Sequence, residues 1–428
     1  MDEPAATFLI SHAGQPLLAR AAALPGDKSA RVLALRTDKT VSPNVAALAA
    51  EIAAARERAA RRGFADADRL FFTADALAQA TSPALAAYRA GYLAGFGTVA
   101  DLCCGAGVDA TALAQAGATV IAVDSDPVRL LFARANAEVR GVAHRITFLH
   151  EPVEDLGWIG ANAAFFDPAR RSAPDRGNVA ERVSRHGERY APPLGFLHTI
   201  KAHVHGGCAK LSPALPDDVL RELSPSRVEF LSENRECKEA CVWFGAATGA
   251  SGAGNDFAAV LLGGDAVLHF APDFAPLPPQ PSAGGQRSGR QPTETFLLDP
   301  NPAIIRAGLL DALCETANAT FVCNADSYLQ SDAAPTGDAA QWASAYRVIH
   351  TLTYAPKKVG AWLRENGYAR VVVKKRHFAQ EPDAVAKDCG VSVRGDGREI
   401  TLVLVRESAN RFVAVLCEPV ATPLPPPA

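Results

Sequence analysis

Between residues 98 and 270 the chain alternates short β-rich runs with helical stretches. The first β-rich runs are TVADLCC, ATVIAVD, RITFLH and AAFFDPA, and the helical stretches DATALAQAG and PVRLLFARANAEVRG separate the first three of them. Strands that alternate with helices of this length are typical of βαβ units on a parallel sheet. Later runs, HVHGGCAKLSP, SRVEFLS, EACVWFGAA and FAAVLLGG, extend the pattern to about Phe270. We therefore predict an α/β, Rossmann-like domain over residues 98–270.

Regions of different character flank this domain. Residues 1–97 are rich in alanine at helical spacing, and the stretch Ser42–Arg62 has a proline near its start and a glycine just after its end, which are helix start and stop signals. Residues 271–293 are dense in Pro, Gly and Ser and predict a linker. The pattern in residues 294–420 predicts a helix, then a strand, and then two β-runs divided by a polar turn. This succession predicts a small α+β domain over about 355–420.

Composition restricts the class of protein further. The chain has 428 residues, of which 48% are hydrophobic, and no apolar run approaches the roughly 18 residues that a membrane-spanning helix needs. The acidic start MDEPAATFLI lacks the pattern of an export signal. Nine cysteines lie scattered in apolar segments, as reduced and buried thiols do. We therefore expect a soluble cytoplasmic protein without a membrane partner.

Two further expectations concern partners. Cys237 and Cys241 have the spacing of a metal pair, but no second pair or histidine cluster completes four ligands, so we expect no metal. The formal net charge of −3 gives no general attraction to nucleic acid, so such a partner needs several basic runs that converge on one surface. The candidate runs are Arg56, Arg58, Arg61 and Arg62; Arg170 and Arg171; Arg182, Arg185 and Arg189; and Lys374, Lys375, Arg376 and His377.

The turn after the first β-run contains a glycine pattern. Gly105, Gly107 and Ala110 satisfy G-x-G-x-x-G/A, and Asp124 follows Gly105 by 19 residues at the end of the second β-run. In dinucleotide-binding domains this pattern holds a pyrophosphate, and the later acid holds a ribose hydroxyl. By this template alone the ligand could be NAD. A turn that joins strand to helix without any ligand is a further alternative.

Asp101 favours a different ligand. It lies at the carboxyl end of the first strand, where its carboxylate would repel a bound pyrophosphate in a partly buried cleft. S-adenosyl-L-methionine (SAM) has no phosphate; it carries an ammonium and a sulfonium, and its carboxylate suits the amides of the loop and helix. The glycines let the backbone approach the amino-acid end of this cofactor, and Asp124 can accept hydrogen bonds from both ribose hydroxyls. These residues therefore indicate SAM.

Further cofactor contacts are expected at the next two strand ends. Ser125 directly follows Asp124. After the third β-run, FLHEPVEDLGW has Pro152 where many such domains place an acid for the adenine amino group, so Glu151, Glu154 or Asp155 is expected to take that role. We assign cofactor binding to Asp101, Gly105, Gly107, Asp124, Ser125 and Asp155.

The fourth β-run ends in AAFFDPARRS, which places Asp167 and Pro168 at the carboxyl edge of the sheet, where open α/β sheets bind ligands. Methyl transfer from a sulfonium is an in-line displacement, so an enzyme mainly positions the acceptor and, for an amine, accepts its proton or hydrogen bond. Asp167 could hold an amino group, and Pro168 would fix the backbone carbonyl beside it. Arg170 could stack on a base or grip a phosphate. These three are the candidate catalytic residues, although Asp-Pro can also simply end a strand.

Taken together, the motifs resemble those of a known family. VADLCCGAGVDATALA, AVDSDPVRLLFARANA, FFDPARRS, YAPPL, KLSPALPDDVL and KEACVWFGA are similar to class I SAM-dependent methyltransferases, and VVVKKRHF with TLVLVRE is similar to the C-terminal THUMP-like domain of a bacterial group of them. The resemblance covers the chain from about Gln79 to Pro419. It implies a seven-stranded Rossmann-like sheet, SAM as the cofactor and RNA as the substrate, because THUMP domains present RNA to methyltransferase partners.

The resemblance departs from known patterns at the acceptor site. DPAR is similar to the D/N-P-P-F/Y/W motif of enzymes that methylate base amino groups, but Arg170 stands where an aromatic side chain would stack on the base. DPAR also resembles the DPPRxG motif of RNA uracil C5 methyltransferases, whose nucleophilic cysteine has no counterpart in KLSP, Lys210–Pro213. KLSP either shapes the acceptor pocket or is an ordinary strand end.

We therefore predict a SAM-dependent methyltransferase that acts on RNA, with a base amino nitrogen as a candidate acceptor. A methyltransferase of a small molecule or of a protein side chain is the first alternative. A binding module that kept the SAM fold without turnover is the second.

Overall fold

The computed structural model describes residues 2–157, 160–170, 190–247, 257–263, 266–270, 294–323, 326–409 and 411–420. The predicted linker and four of the basic residues, Arg171, Arg182, Arg185 and Arg189, lie outside this part of the chain. The chain divides into two compact units: Met1–Glu229 with Glu239–Gly252, and Phe230–Lys238 with Ala253–Ala428.

The first unit begins with helices. They are α1 (Glu3–Ile10), α2 (Gln15–Ala23), α3 (Lys28–Leu35), α4 (Pro43–Arg61), α5 (Ala74–Gln79) and α6 (Pro83–Leu93). Helix α4 starts where the sequence predicts it, because the Ser42 hydroxyl accepts a hydrogen bond from the Val45 amide and Pro43 occupies the first turn. It ends before Gly63, whose φ of +78° the helix cannot continue.

A large sheet follows the helices. Its strands are β1 (Thr98–Leu102), β2 (Thr119–Asp124), β3 (Ile146–His150), β4 (Ala163–Phe166), β7 (Gly206–Leu211), β8 (Arg227–Glu233), β9 (Glu236–Gly245), β10 (Phe257–Gly263) and β11 (Ala266–Phe270), while β5 (Ala169–Arg170) and β6 (Tyr190–Ala191) form a separate ribbon. The intervening helices are α7 (Val108–Gln115), α8 (Pro127–Val139), α9 (Phe196–Lys201) and α10 (Asp217–Glu222). The strand order is β11-β10-β8-β9-β7-β4-β1-β2-β3. The predicted Rossmann-like sheet is confirmed, with nine strands rather than seven because the hairpin β10–β11 adds two.

The strand directions bring the candidate residues to one edge of the sheet. Strand β1 pairs in parallel with β2 and β4, and β4 pairs in parallel with β7. Because the carboxyl ends of parallel neighbours meet at one edge, that edge carries Asp101, Asp124, Asp167 and Lys210.

Asn136 on α8 ties the N-terminal helical region to the glycine turn. Its side-chain oxygen accepts a hydrogen bond from the Phe71 amide at 2.7 Å. Its side-chain amide donates to the carbonyls of Phe71 and Ala106, both at 3.0 Å. Since Asn136 is only 4% exposed, this bridge holds the backbone of the turn in a fixed position.

Arg89 on α6 makes a second, charged link between the helices and the sheet. It is 1% exposed and donates hydrogen bonds to Asp109 at 2.5 Å, to Thr81 at 3.1 Å, and to Glu239. Its guanidinium also lies 4.7 Å from the ring centroid of Phe165, the residue that pairs with Asp101 across β4 and β1. The buried cation thus neutralises two buried carboxylates directly behind the candidate site.

The second unit contains a mixed sheet of its own. Its strands are β12 (Phe296–Pro300), β13 (Thr320–Phe321), β14 (Leu329–Ser331), β15 (Ala343–Thr353), β16 (Arg370–Lys375), β17 (Glu399–Ser408) and β18 (Arg411–Pro419), in the order β13-β14-β12-β15-β18-β17-β16. The helices are α11 (Pro302–Arg306), α12 (Leu310–Ala317), α13 (Asp338–Trp342), α14 (Pro356–Glu365) and α15 (Pro382–Asp388). The predicted succession of a helix, a strand and an antiparallel hairpin is confirmed in α14, β16, β17 and β18. Within the described ranges, no helix is both long and apolar enough to span a membrane.

Candidate active site

The glycine turn between β1 and α7 depends on two left-handed residues. Gly105 has φ +56° and Gly107 has φ +75°. A Cβ at Gly107 would lie 2.8 Å from the Cβ of Ala133, so no larger residue fits there. A Cβ at Gly105 would meet no atom within 4 Å, and the Gly105 amide donates to an Asp124 oxygen at 2.8 Å. The turn is therefore packed tightly on its inner side and open on its outer side.

Cys103 is a feature of this turn that sequence reasoning missed. It adopts φ +68° without being glycine, a conformation that costs about 1 kcal/mol or more. Its pKa is raised by burial and by the carboxylates of Asp124, Asp167 and Asp101, in that order. The raised pKa disfavours the thiolate, so Cys103 is a poor nucleophile.

Asp101 lies near the end of β1, directly before the turn. It is fully buried, and neither carboxylate oxygen has a partner within the described part of the chain. Burial raises its pKa well above the usual value, and the charges of Asp109 and Asp167 raise it further, while the nearby Ala110 backbone amide opposes the shift. A buried and unpaired carboxylate is costly, and a bound cation would remove that cost.

Asp124 supports the turn in addition to its predicted ribose contact. One oxygen accepts from the Gly105 amide and the other from the Asp126 amide, at 2.8 and 2.9 Å. Each carboxylate oxygen has a second lone pair, so two acceptor positions remain for hydroxyl groups. Ser125 follows at the strand tip with an exposed side chain, and its carbonyl hydrogen-bonds the His150 ring at 3.2 Å.

The candidate adenine acids lie after β3. Glu154 and Asp155 belong to a short 3₁₀ helix, Val153–Asp155, and both side chains are exposed. The charge of Glu154 contributes to the raised pKa of Cys103, so this acid lies within electrostatic range of the turn. The choice of Asp155 stays a prediction, with Glu154 as its direct neighbour.

Asp167 lies at the end of β4 and forms an ion pair with Lys210, at the end of β7. The Lys210 ammonium is 2.7 Å from the Asp167 Oδ2 atom and donates a second hydrogen bond to the Gln79 carbonyl at 3.3 Å. Burial raises the pKa of Asp167, and Lys210 opposes that shift. Sequence reasoning named KLSP but missed this pair, because it cannot show which strands are neighbours.

Arg170 lies beside the same edge on the short ribbon. It pairs with Tyr190 across β5 and β6, is exposed, and donates a hydrogen bond to the Ser212 hydroxyl at 3.3 Å. The Tyr190 hydroxyl in turn accepts from the Ser212 amide at 3.1 Å. Pro168 is buried, and in sequence it lies between Asp167 and strand β5. Its ring restricts the backbone conformation at the point where the chain leaves β4. KLSP thus supplies contacts to two of the three candidate catalytic residues.

The donor set fits SAM. The unpartnered Asp101 carboxylate suits an ammonium group, the open side of Gly105 leaves room for a ligand, and Asp124 keeps acceptor positions for hydroxyls. The same edge places three carboxylates where a diphosphate would need cations. Among the described residues no group of three or more His, Cys, Asp or Glu side chains could hold a metal ion.

Among the described residues, several members of the basic runs named in the sequence make contacts within the protein. Lys374 and Arg376 both pair with Asp299, at 2.8 and 2.5 Å, and Lys375 pairs with Glu381 at 3.2 Å. In the N-terminal run, Arg56 donates to the carbonyls of residues 69 and 70, and Arg62 donates to those of residues 77 and 80. These contacts stabilise the fold. The convergence of the basic runs on one surface therefore stays a prediction.

Alanine substitutions at the two glycines are expected to separate stability from binding. Gly107→Ala forces a methyl group onto Ala133 in a left-handed conformation, so we expect a loss of about 2–4 kcal/mol in the free energy of unfolding. Gly105→Ala meets no neighbouring atom, so the loss is about 1 kcal/mol. Its methyl group instead occupies the open side of the turn, and the affinity for S-adenosylhomocysteine should fall.

Urea unfolding and calorimetric titration measure the two quantities. Gly141→Ala is the matched control, because Gly141 has φ +72° and likewise meets no atom within 4 Å, but lies after α8 rather than in the turn. It should share the small loss of stability and keep full affinity. Equal affinity of the Gly105 and Gly141 variants would exclude ligand binding above the turn.

Comparisons with known proteins agree with this geometry. Residues 96–183 match the family model described as RNA cap guanine-N2 methyltransferase, and residues 343–419 match the model described as THUMP domain-like. An uncharacterized S-adenosylmethionine-dependent methyltransferase of Mycobacterium tuberculosis, found in strains CDC 1551 and H37Rv, is 27% identical over 358 residues, which are 81% of this chain and 88% of the relative.

One solved structure shares the fold over nearly the whole chain. A methyltransferase candidate from Porphyromonas gingivalis W83 superposes with a TM-score of 0.68 at 15% sequence identity, covering 98% of this chain and 100% of that one. The sheet, the glycine turn and the matched models lead to one assignment. The protein is a SAM-dependent methyltransferase that is similar to the class I enzymes, and its residues 343–419 are similar to a THUMP-like domain.

Proposed function

We propose that the enzyme transfers a methyl group to an exocyclic amino nitrogen of an RNA base. The observation that carries this proposal is the position of Asp167 at the carboxyl edge of β4, on the strand next to the one that ends in the glycine turn. A carboxylate there can accept a hydrogen bond from an amino group and later its proton. The RNA methyltransferase description of the matched model and the THUMP-like domain support RNA as the source of that amine.

Several residues are proposed to hold the cofactor. Asp101 would bind its ammonium group, and the glycine turn would leave room for the amino-acid portion. Asp124 would accept the ribose hydroxyls, with Ser125 beside it, and Asp155 would accept the adenine amino group. When bound, SAM supplies an electrophilic methyl group on a positively charged sulfur.

The acceptor side is proposed to work mainly by orientation. Asp167 would fix one N–H of the amine in the plane of the base, which leaves the nitrogen lone pair directed out of that plane. The Lys210 ammonium favours the ionised carboxylate and so opposes the rise in the Asp167 pKa that burial causes. Arg170, exposed beside Ser212, would contact the base face or a neighbouring phosphate.

The test is transfer of a labelled methyl group from SAM to different acceptor pools. Unmodified transcripts of tRNA and ribosomal RNA, a protein extract and a small-molecule extract are each incubated with the full-length enzyme. We expect label in RNA nucleosides, lost in Asp167→Ala and kept in Asp311→Ala, an exposed acid on α12. Label confined to protein or to small molecules would replace RNA with that class of acceptor, and binding of SAM without transfer to any pool would indicate a binding module.

A further inference from the structure

A cavity of about 460 Å³ lies among helices α6, α7 and α8 and residues 64–72 of the first unit. One face of α7 borders it, because Val108, Thr111, Ala112 and Gln115 recur at helical spacing. Close-packed protein interiors contain few voids larger than a water molecule, whereas sites for small molecules have volumes in this range. The cavity is therefore large enough to hold a small organic ligand.

This cavity is separate from the candidate active site. Gly107 lines it, but within the described part of the chain the side chains of Asp101, Asp124 and Asp167 do not, and neither does Gly105. The cavity therefore adjoins the glycine turn without including the groups proposed to bind the cofactor ammonium, the ribose hydroxyls and the acceptor.

The wall of the cavity is mainly apolar. Phe64 and Phe72 contribute to it, with ring centroids 5.5 Å apart. The other apolar contributors are Leu70, Pro83, Ala86, Ala87, Ala90, Ala106, Ala112 and Ala116. Apolar surface in contact with water costs roughly 25 cal/mol per Å², so the wall favours a ligand with a hydrocarbon part.

Two polar side chains at the wall have unused hydrogen-bonding capacity. Thr111 is 5% exposed, and its hydroxyl oxygen has no partner within the described residues, although threonine in a helix commonly bonds a carbonyl of the preceding turn. Arg140 donates to the Ala65 carbonyl at 2.9 Å, but the ion pairs of the described residues do not include it. The cavity thus offers a cation without a carboxylate partner and a hydroxyl that a change of rotamer would direct into it.

We propose that this cavity binds a small amphipathic carboxylate, with its hydrocarbon part against the apolar wall and its carboxylate on Arg140. The guanidinium N–H groups that the Ala65 carbonyl leaves unused can donate to both carboxylate oxygens. Nucleotides and sugar phosphates fit less well, because their polar groups would face the apolar wall without partners.

The first experiment is calorimetric titration of the full-length protein with octanoate, decanoate and octylamine. Decanoate should bind about tenfold more tightly than octanoate, because it buries two further methylene groups. Octylamine has the opposite charge and should bind at least about tenfold more weakly than octanoate. Decanoate should bind equally well when S-adenosylhomocysteine is saturating. Absence of decanoate binding, equal binding of octylamine and octanoate, or competition with S-adenosylhomocysteine would each overturn the inference.

Variants locate the ligand. Arg140→Gln should weaken decanoate binding about tenfold to 100-fold, because the charged hydrogen bonds are lost. Ala112→Leu places a larger side chain at the wall and should abolish binding, and urea unfolding verifies that both variants fold. Arg134→Gln is the matched control, because Arg134 is an exposed arginine of α8 that does not line the cavity; it should keep the wild-type affinity. Unchanged affinity in either Arg140→Gln or Ala112→Leu, or an equal loss in Arg134→Gln, would overturn the inference.

Discussion

Replacing Asp101 with asparagine is expected to weaken cofactor binding and, at the same time, to stabilise the protein. The carboxylate is fully buried and unpartnered among the described residues, so the folded protein bears the cost of its desolvation. Asparagine removes that charge at nearly the same volume. We expect a gain of about 1 kcal/mol in the free energy of unfolding. The charged contact to the ammonium is lost, so the affinity for S-adenosylhomocysteine should fall about tenfold to 100-fold.

Calorimetric titration and urea unfolding measure these opposite changes in the same preparation. Asp167→Asn is the matched control, because Asp167 ends the neighbouring strand but is already paired with Lys210. It should keep its cofactor affinity. An Asp101→Asn variant that binds as tightly as the wild type would contradict the assignment of this residue to the ammonium group.

The pH dependence follows from the raised pKa of Asp101. In the free protein the carboxyl group holds its proton to higher pH than in the unfolded chain, so its contribution to stability falls as pH rises from its ordinary value of about 3.9 through the raised one. A bound ammonium favours the ionised form, so binding releases a proton and strengthens as pH rises across the same window. Titrations in buffers of different ionisation enthalpy would detect the released proton, and Asp101→Asn should abolish it.

Replacing Arg89 with methionine is expected to give the largest loss of stability. The substitution leaves the carboxylates of Asp109 and Glu239 buried without their cation. Removal of one partner from a buried ion pair costs about 3–5 kcal/mol. The loss of stability should be measurable as a lower urea midpoint, because the substitution also removes the link between α6 and the strands behind the site.

Arg129→Met is the surface control for this prediction. Arg129 pairs with Asp75 at 2.8 Å, but that carboxylate is 66% exposed, so we expect a change below about 1 kcal/mol. Adding Asp109→Asn and Glu239→Gln to Arg89→Met should recover part of the lost stability, because the unpaired charges are then removed. Equal stability of the Arg89 and Arg129 variants would contradict the account of a buried network.

The sequence was sufficient to predict the features that depend on local order along the chain. Alternation of β-rich and helical runs predicted the parallel sheet, and the ends of those runs predicted that Asp101, Asp124 and Asp167 lie at its carboxyl edge. The glycine pattern predicted the turn, because positive φ angles restrict the residue type. The roles of these residues in binding and transfer remain predictions.

The remaining features depend on contacts between distant parts of the chain. Lys210 meets Asp167 because β7 lies beside β4, a strand order that no local pattern encodes. No local pattern distinguishes Arg89, the single arginine of the alanine-rich helix α6, because its burial depends on contacts with Asp109 on α7 and Glu239 on β9. Cys103 occupies a left-handed position that the glycine template does not assign to cysteine.

The ion pairs of Asp299 affect how the THUMP-like domain can respond to ionic strength. A polyanion gains affinity when it displaces mobile counterions from cations, and each such cation steepens the dependence on salt. Lys374 and Arg376 are already paired with Asp299 of the same chain, so they release few mobile counterions when a polyanion binds. If the domain binds RNA, the salt dependence of its affinity should therefore report mainly on other cations of the protein.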